Sequence, residues 1–186
     1  MTAKTTENTV ARHYTHGGLE AAIRAALAAA GKDPVALAPG DLAPVDEFHI
    51  GGHEATEHLA QTLKITPGMH LLDIGCGIGG AARYFAAASG ARVTGIDLTD
   101  EYVAVATALA DWVGLSGQVS FRQASALDLP FDAGTFDGAA MLHVGMNIAD
   151  KARLFTEAAR TLKPGGRMGV YDVMRIGEGA LAYPVP

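Results

Sequence analysis

The sequence predicts an α/β protein built on a doubly wound parallel sheet of five strands, with helices ahead of it. Three observations predict it. From residue 66 onward, short apolar runs alternate with amphipathic helical segments. A glycine-rich turn separates the first apolar run from the first helix. Carboxylates, Asp73 and Asp97, stand at the ends of the first two runs, where open α/β sheets bind ligands.

The elements follow in order. Leu19, Ile23, Ala26, Leu27 and Ala30 recur at three- and four-residue spacing and mark a helix that Gly31 stops. Pro34, Pro39 and Pro44 then predict an irregular stretch. Ala55, Leu59 and Leu63 form a second short stripe. Thr66-Pro67-Gly68 reads as a turn, and residues 69–74 as a buried strand. After the glycine turn comes an alanine-rich helix through Phe85, then a second strand over 91–96. Tyr102, Val105, Ala106, Leu109 and Trp112 share one helical face. Strands are predicted at 118–122 and 136–143. Leu154, Phe155, Ala158, Ala159 and Leu162 predict a further helix, ended by Lys163-Pro164-Gly165-Gly166, and a fifth strand spans 167–173. The division falls near residue 66. Residues 1–65 form a helical segment covering the ligand site, and 66–186 carry the sheet, within one structural domain.

Composition narrows the function classes. The 186 residues are 49% apolar, enough for a sizeable core, and the formal net charge is −6. That acidity disfavours nucleic acid or an anionic membrane as partner. No run of about 20 apolar residues predicts a membrane span. The N-terminus lacks the apolar centre of a signal peptide, and the single cysteine, Cys76, cannot form an intrachain disulfide, so a cytoplasmic setting is expected. His53 and His58 lie five apart, the wrong spacing for one helical face, and no cluster has zinc spacing. His16, His58 and His70 read as surface histidines.

The glycine turn is Asp73-Ile74-Gly75-Cys76-Gly77-Ile78-Gly79-Gly80. Two readings compete. Gly75, Gly77 and Gly80 match the spacing of dinucleotide sites, which would make a nicotinamide-dependent oxidoreductase. Asp73 weighs against it, because a carboxylate at the tip of the first strand repels a pyrophosphate. It suits a cofactor with a cationic amino acid end, and S-adenosylmethionine carries both an ammonium and a sulfonium. Asp97 can accept hydrogen bonds from ribose hydroxyls; its bland reading is charge at a helix N-terminus shared with Thr99, Asp100 and Glu101.

Here the sequence resembles the class I S-adenosylmethionine methyltransferases, whose fold is Rossmann-like. Asp73 to Gly79 is similar to the family's first motif and Asp97 to its ribose acid. Arg122-Gln123-Ala124-Ser125-Ala126-Leu127-Asp128-Leu129-Pro130-Phe131 resembles the segment that holds adenine. Phe136-Asp137 and Leu162-Lys163-Pro164-Gly165-Gly166 resemble further family features. Asp46-Glu47-Phe48-His49-Ile50-Gly51-Gly52 and His143-Val144-Gly145-Met146-Asn147-Ile148 are similar to small-molecule enzymes related to sarcosine and dimethylglycine N-methyltransferases. The resemblance implies a cofactor site of Asp73, Gly75, Cys76, Gly77, Gly79, Asp97, Leu98, Ser125 and Ala126. Tyr14 and Gly52 are expected to close over the methionine end; ordinary helix packing is the alternative for Tyr14. Many family members carry an Asp where this chain has Ser125, so adenine is expected to lean on backbone near Ala126.

His143 ends the fourth strand, facing the ligand crevice. It reads either as a general base for a small-molecule acceptor, an amine nitrogen among the candidates, or as a residue packing on the cofactor. The resemblance also implies a truncation. The family's sheet has seven strands, the last two an antiparallel hairpin over the fifth, and only thirteen residues follow Val173. Catalysis is then expected to be impaired, leaving a fragment or a cofactor-binding module. Self-association through a fifth-strand edge carrying Met168, Val170 and Val173 is expected as well.

Overall fold

The structure is a computed structural model that describes residues 3–14, 17–33, 36–46 and 49–177. Among the described residues, four α-helices precede the sheet: α1 (Ala3–Tyr14), α2 (Leu19–Ala29), the one-turn α3 (Ala43–Asp46) and α4 (Gly52–Leu63). Then come β1 (His70–Ile74), α5 (Gly80–Ser89), β2 (Arg92–Asp97), α6 (Asp100–Trp112), β3 (Val119–Gln123), β4 (Phe136–Leu142), α7 (Lys151–Thr161) and β5 (Leu162–Tyr171). All five strands are parallel, in the order β3-β2-β1-β4-β5. The chain winds outward from β1 to β3, returns to lie beside β1 as β4, and continues to β5. The predicted doubly wound fold is therefore present, and its switch point lies between β1 and β4.

The two faces of the sheet hold separate cores, because neighbouring strand residues point to opposite sides. Leu71 and Val93 pack with Ile23 and Leu27 of α2, Leu59 and Leu63 of α4, Phe85 of α5 and Leu109 of α6. Leu72, Ile74, Ile96 and Met141 pack with Leu154 and Ala158 of α7. Both sets are almost fully removed from water, which is the main stabilising term for such a domain.

Several predicted elements needed correction. The polar α1 went unpredicted. Pro34 lies outside the described residues, but from Pro39 the proline stretch is more ordered than expected: a 3-10 turn (Pro39–Leu42) with Pro39 at its start leads into α3, and Leu42 is fully buried. On α7 the buried face is Leu154, Glu157, Ala158 and Thr161, whereas Phe155 is 45% exposed and Leu162 already belongs to β5. Glu157 can be buried because Arg160 pairs with it at 2.7 Å and the Leu129 N–H donates to it at 3.0 Å. Lys163-Pro164-Gly165-Gly166 lies inside β5, across a register shift against β4, so the strand starts five residues earlier than predicted. Val173 lies beyond its end. His70 is no free surface histidine: its Nε2 lies 2.9 Å from Thr94 Oγ1, its ring meets Phe136, and burial lowers its pKa. His16, Glu47, Phe48 and the terminal Tyr183-Pro184-Val185-Pro186 lie outside the described residues.

Among the described residues, no helix is long and apolar enough to cross a membrane.

Candidate functional site

A cavity opens at the C-terminal ends of β1, β2 and β4, where the switch point places it. Its floor is the turn after β1. The N–H groups of Gly75 and Cys76 both donate to the Ile96 carbonyl, at 2.8 and 2.9 Å, which pins the turn onto β2. Gly75 has φ 74°, and a Cβ there would fall 2.4 Å from Val144 Cγ2, so no side chain fits. Gly77 is different: its φ is also positive, but a Cβ would meet nothing within 4 Å, so its bare backbone lies open to the cavity. Gly80 is tight for a third reason, since a Cβ would fall 2.6 Å from the Asp46 carbonyl oxygen.

Asp73, one residue before the end of β1, is 2% exposed, and its Oδ2 has no hydrogen-bond partner among the described residues. Burial, reinforced by the charge of Asp97 and opposed by His49, pushes its pKa up to about 7. An unpaired buried carboxylate is costly, and a cation delivered to it would restore the charged form. Asp97 is already half engaged. Its Oδ2 accepts the Gly77 N–H at 3.0 Å and its Oδ1 the Thr99 N–H at 2.9 Å. Burial raises its pKa against these bonds. The Thr99 side chain and the Leu98 backbone also lower it, so the carboxylate is held at the start of α6 while it lines the cavity. Burial also raises the Cys76 thiol, which keeps it protonated and unreactive on the cavity wall.

His143 follows β4 with φ 56°, a left-handed conformation uncommon outside glycine. Its N–H donates to the Tyr171 carbonyl at 2.7 Å, which fixes the turn. The imidazole lines the cavity, and its buried Nε2 has no partner among the described residues.

The cover comes from the N-terminal segment. Glu7, Val10 and Tyr14 of α1, Asp46 of α3 and His49 all line the cavity. The Tyr14 and Tyr102 rings lie 6.1 Å apart, and the Tyr102 hydroxyl is pushed up to about 12, chiefly by burial. Asp46 forms an ion pair with Arg83, whose side chain is 2% exposed. Arg83 Nη1 also donates to the Ile78 carbonyl at 2.7 Å, so one guanidinium ties α3 to the glycine turn.

Of the predicted site residues, the structure brings Tyr14, Asp73, Gly75, Cys76, Gly77, Asp97, Leu98, Ala126 and His143 to one cavity. Gly52, Gly79 and Ser125 are not on its lining. Gly52 starts α4, with its N–H donated to the His49 carbonyl at 3.1 Å. Gly79 caps α5, and a Cβ there would fall 2.6 Å from Phe121. Ser125 Oγ donates to Glu7 and accepts the Leu127 N–H at 3.0 Å. The sequence reading missed Glu7, Val10, Tyr102 and Asn147 as lining residues. Asp46, His49 and Asn147 lie in the family-like segments 46–52 and 143–148, but their residue types alone give them no role.

Residues 72–170 match the family described as "Methyltransferase domain". A sterol 24-C-methyltransferase of Gibberella zeae is 37% identical over 123 residues, which is 66% of this chain and 32% of that protein. A geranyl diphosphate C-methyltransferase of Streptomyces coelicolor, solved with geranyl diphosphate and S-adenosylhomocysteine, superposes with TM-score 0.61 at 30% identity, covering 63% of this chain and 44% of that one. The cyclase SpnF superposes with TM-score 0.67 at 27% identity, covering 88% and 59%. The chain spans about a third to a half of the length of the curated relatives it matches.

Proposed function

Because the chain belongs to the methyltransferase domain family, we propose that it binds S-adenosylmethionine in this cavity and passes the methyl group to a small-molecule acceptor. Asp73 Oδ2 carries the reading: a fully buried carboxylate oxygen with no donor among the described residues, on the same cavity as the bare backbone of Gly77, suits a ligand bearing an ammonium. A dinucleotide would set a pyrophosphate against the same carboxylate. When bound, the cofactor supplies a methyl group activated by a positively charged sulfur.

The residues divide the work. Asp73 takes the ammonium, the turn at Gly75, Cys76 and Gly77 lies under the amino acid end, and Asp97 accepts from the ribose hydroxyls. Leu98 and Ala126 flank the base, while Tyr14 and the N-terminal segment exclude water. Gly52, Gly79 and Ser125 act indirectly, by shaping the turns and helices that carry the lining. Methyl transfer is an in-line displacement that needs alignment and a dry site rather than a covalent intermediate. A nitrogen acceptor must be neutral to attack, and the unpartnered Nε2 of His143 can hold the proton it gives up.

Calorimetry with S-adenosylhomocysteine and NAD tests the cofactor assignment. The chain is expected to bind the first and not the second, and Asp97→Ala to weaken binding by about 1–3 kcal/mol. His143→Ala is expected to lower turnover of an identified acceptor while sparing cofactor affinity. Retention of NAD alone, or unchanged affinity in Asp97→Ala, would remove the assignment.

A further inference from the structure

We infer that Glu7, on α1, is the hydrogen-bond acceptor that selects the amino-substituted purine of the cofactor, with Ser125 as its positioning residue. The inference rests on the cofactor reading above. With the ammonium at Asp73 on β1 and the ribose at Asp97 on β2, the sheet order carries the base onward toward β3. The wall waiting there is Leu98, Ala124, Ala126 and Leu127, faced by α1. Those side chains are apolar and can hold a purine face but cannot accept from its exocyclic amino group.

Among the described residues, four carboxylates line the cavity: Glu7, Asp46, Asp73 and Asp97. Asp46 is committed to Arg83, Asp97 to two backbone N–H groups at the ribose position, and Asp73 to the far end. Glu7 is the carboxylate left for the base. The hydroxyl of Ser125 donates to one of its oxygens across 118 residues of sequence, and that hydroxyl is held in turn by the Leu127 N–H. This fixes the carboxylate, and its other oxygen accepts from no donor among the described residues. An ionised acceptor makes hydrogen bonds roughly twice as strong as a neutral one, so Glu7 serves better than the serine hydroxyl itself. The C-terminal end of α1 and the start of α2 both meet α6. Tyr14 lies against Tyr102, and the N–H groups of Gly17 and Leu19 donate to Glu101 at 2.9 and 3.1 Å. Glu7 therefore sits on a helix whose other end, at Tyr14, packs on α6.

The test compares calorimetric affinities for S-adenosylhomocysteine and S-inosylhomocysteine, in which a carbonyl replaces the amino group. The wild-type chain should favour the adenosyl compound by about tenfold or more, the size of a hydrogen bond to a charged group. Glu7→Gln presents an amide that can donate as well as accept, and should bring the two affinities close together. Ser125→Ala should narrow the preference less, since it frees the carboxylate without removing it. Circular dichroism checks that each variant is folded. Full wild-type discrimination in Glu7→Gln, with S-adenosylhomocysteine still bound, overturns this inference alone. A wild-type chain that binds neither compound overturns the cofactor reading and this inference with it.

Discussion

The floor and the cover of the cavity are built by different rules. The floor, residues 73–80, is made by contacts near in sequence or along adjacent strands: Gly75 and Cys76 on Ile96, and Gly77 on Asp97. The cover is made by polar pairs that span the chain. Glu7 meets Ser125 across 118 residues, Gly17 meets Glu101 across 84, and Asp46 meets Arg83 across 37. A floor of this kind is specified by glycines and strand ends, and it forms with the sheet. A cover of this kind depends on single side chains, each removable without touching the sheet's own ladder.

Arg83→Ala is the strongest way to break that contrast. It removes the guanidinium that pairs with Asp46, whose side chain is 9% exposed, and so breaks a buried ion pair. A loss of about 3–5 kcal/mol in urea unfolding is expected, with hydrogen exchange rising first in α3 and α1 while β1 and β4 stay protected. An unchanged unfolding midpoint would mean that the pair does not anchor the cover.

The floor itself can be divided more finely. Gly75→Ala meets Val144 at 2.4 Å as well as an unfavourable φ, and should cost about 1–3 kcal/mol from strain, with overpacking on top. Gly77→Ala meets open space, so only the left-handed backbone is charged to it, about 1–2 kcal/mol. Its larger effect should be on S-adenosylhomocysteine affinity, because the added methyl enters the cavity. Equal losses of stability in the two variants would deny the distinction between a packed and an open glycine.

The same division explains what the sequence made legible. Strand period, helix period and the glycine turn are local signals, and they located all five strands, the floor and the two strand-tip carboxylates. The cover was half legible. Leu19 to Ala30 carries an apolar stripe that predicts a helix, but α1 (Ala3–Tyr14) is polar in sequence, and Tyr14 and Glu7 are among the residues that dock it. Nothing local marks Glu7 as facing Ser125. The start of β5 was misplaced because Pro164-Gly165-Gly166 signals a turn, whereas β4 accommodates it as a register shift within the strand pair. Phe155 was assigned to the core by hydropathy, yet Glu157, neutralised by Arg160, takes a buried place on α7.

Proton linkage at Asp73 tests the central claim most directly. The rise from an ordinary 3.8 to about 7 means that the folded chain holds a proton there which the unfolded chain has already lost. The group therefore lowers the stability of the free protein progressively as pH rises from about 4 to about 7, by about 4 kcal/mol in all. A ligand ammonium reverses the balance by favouring the ionised carboxylate. S-adenosylhomocysteine affinity should then climb by up to about tenfold per pH unit below pH 7 and level off above it. Calorimetry in buffers of different ionisation heat should show close to one proton released on binding near pH 6, and Asp73→Asn should abolish both the slope and the release. Affinity that stays flat from pH 5.5 to 8 in the wild-type chain, or a slope that survives in Asp73→Asn, would contradict the placement of a cationic amino acid end at Asp73.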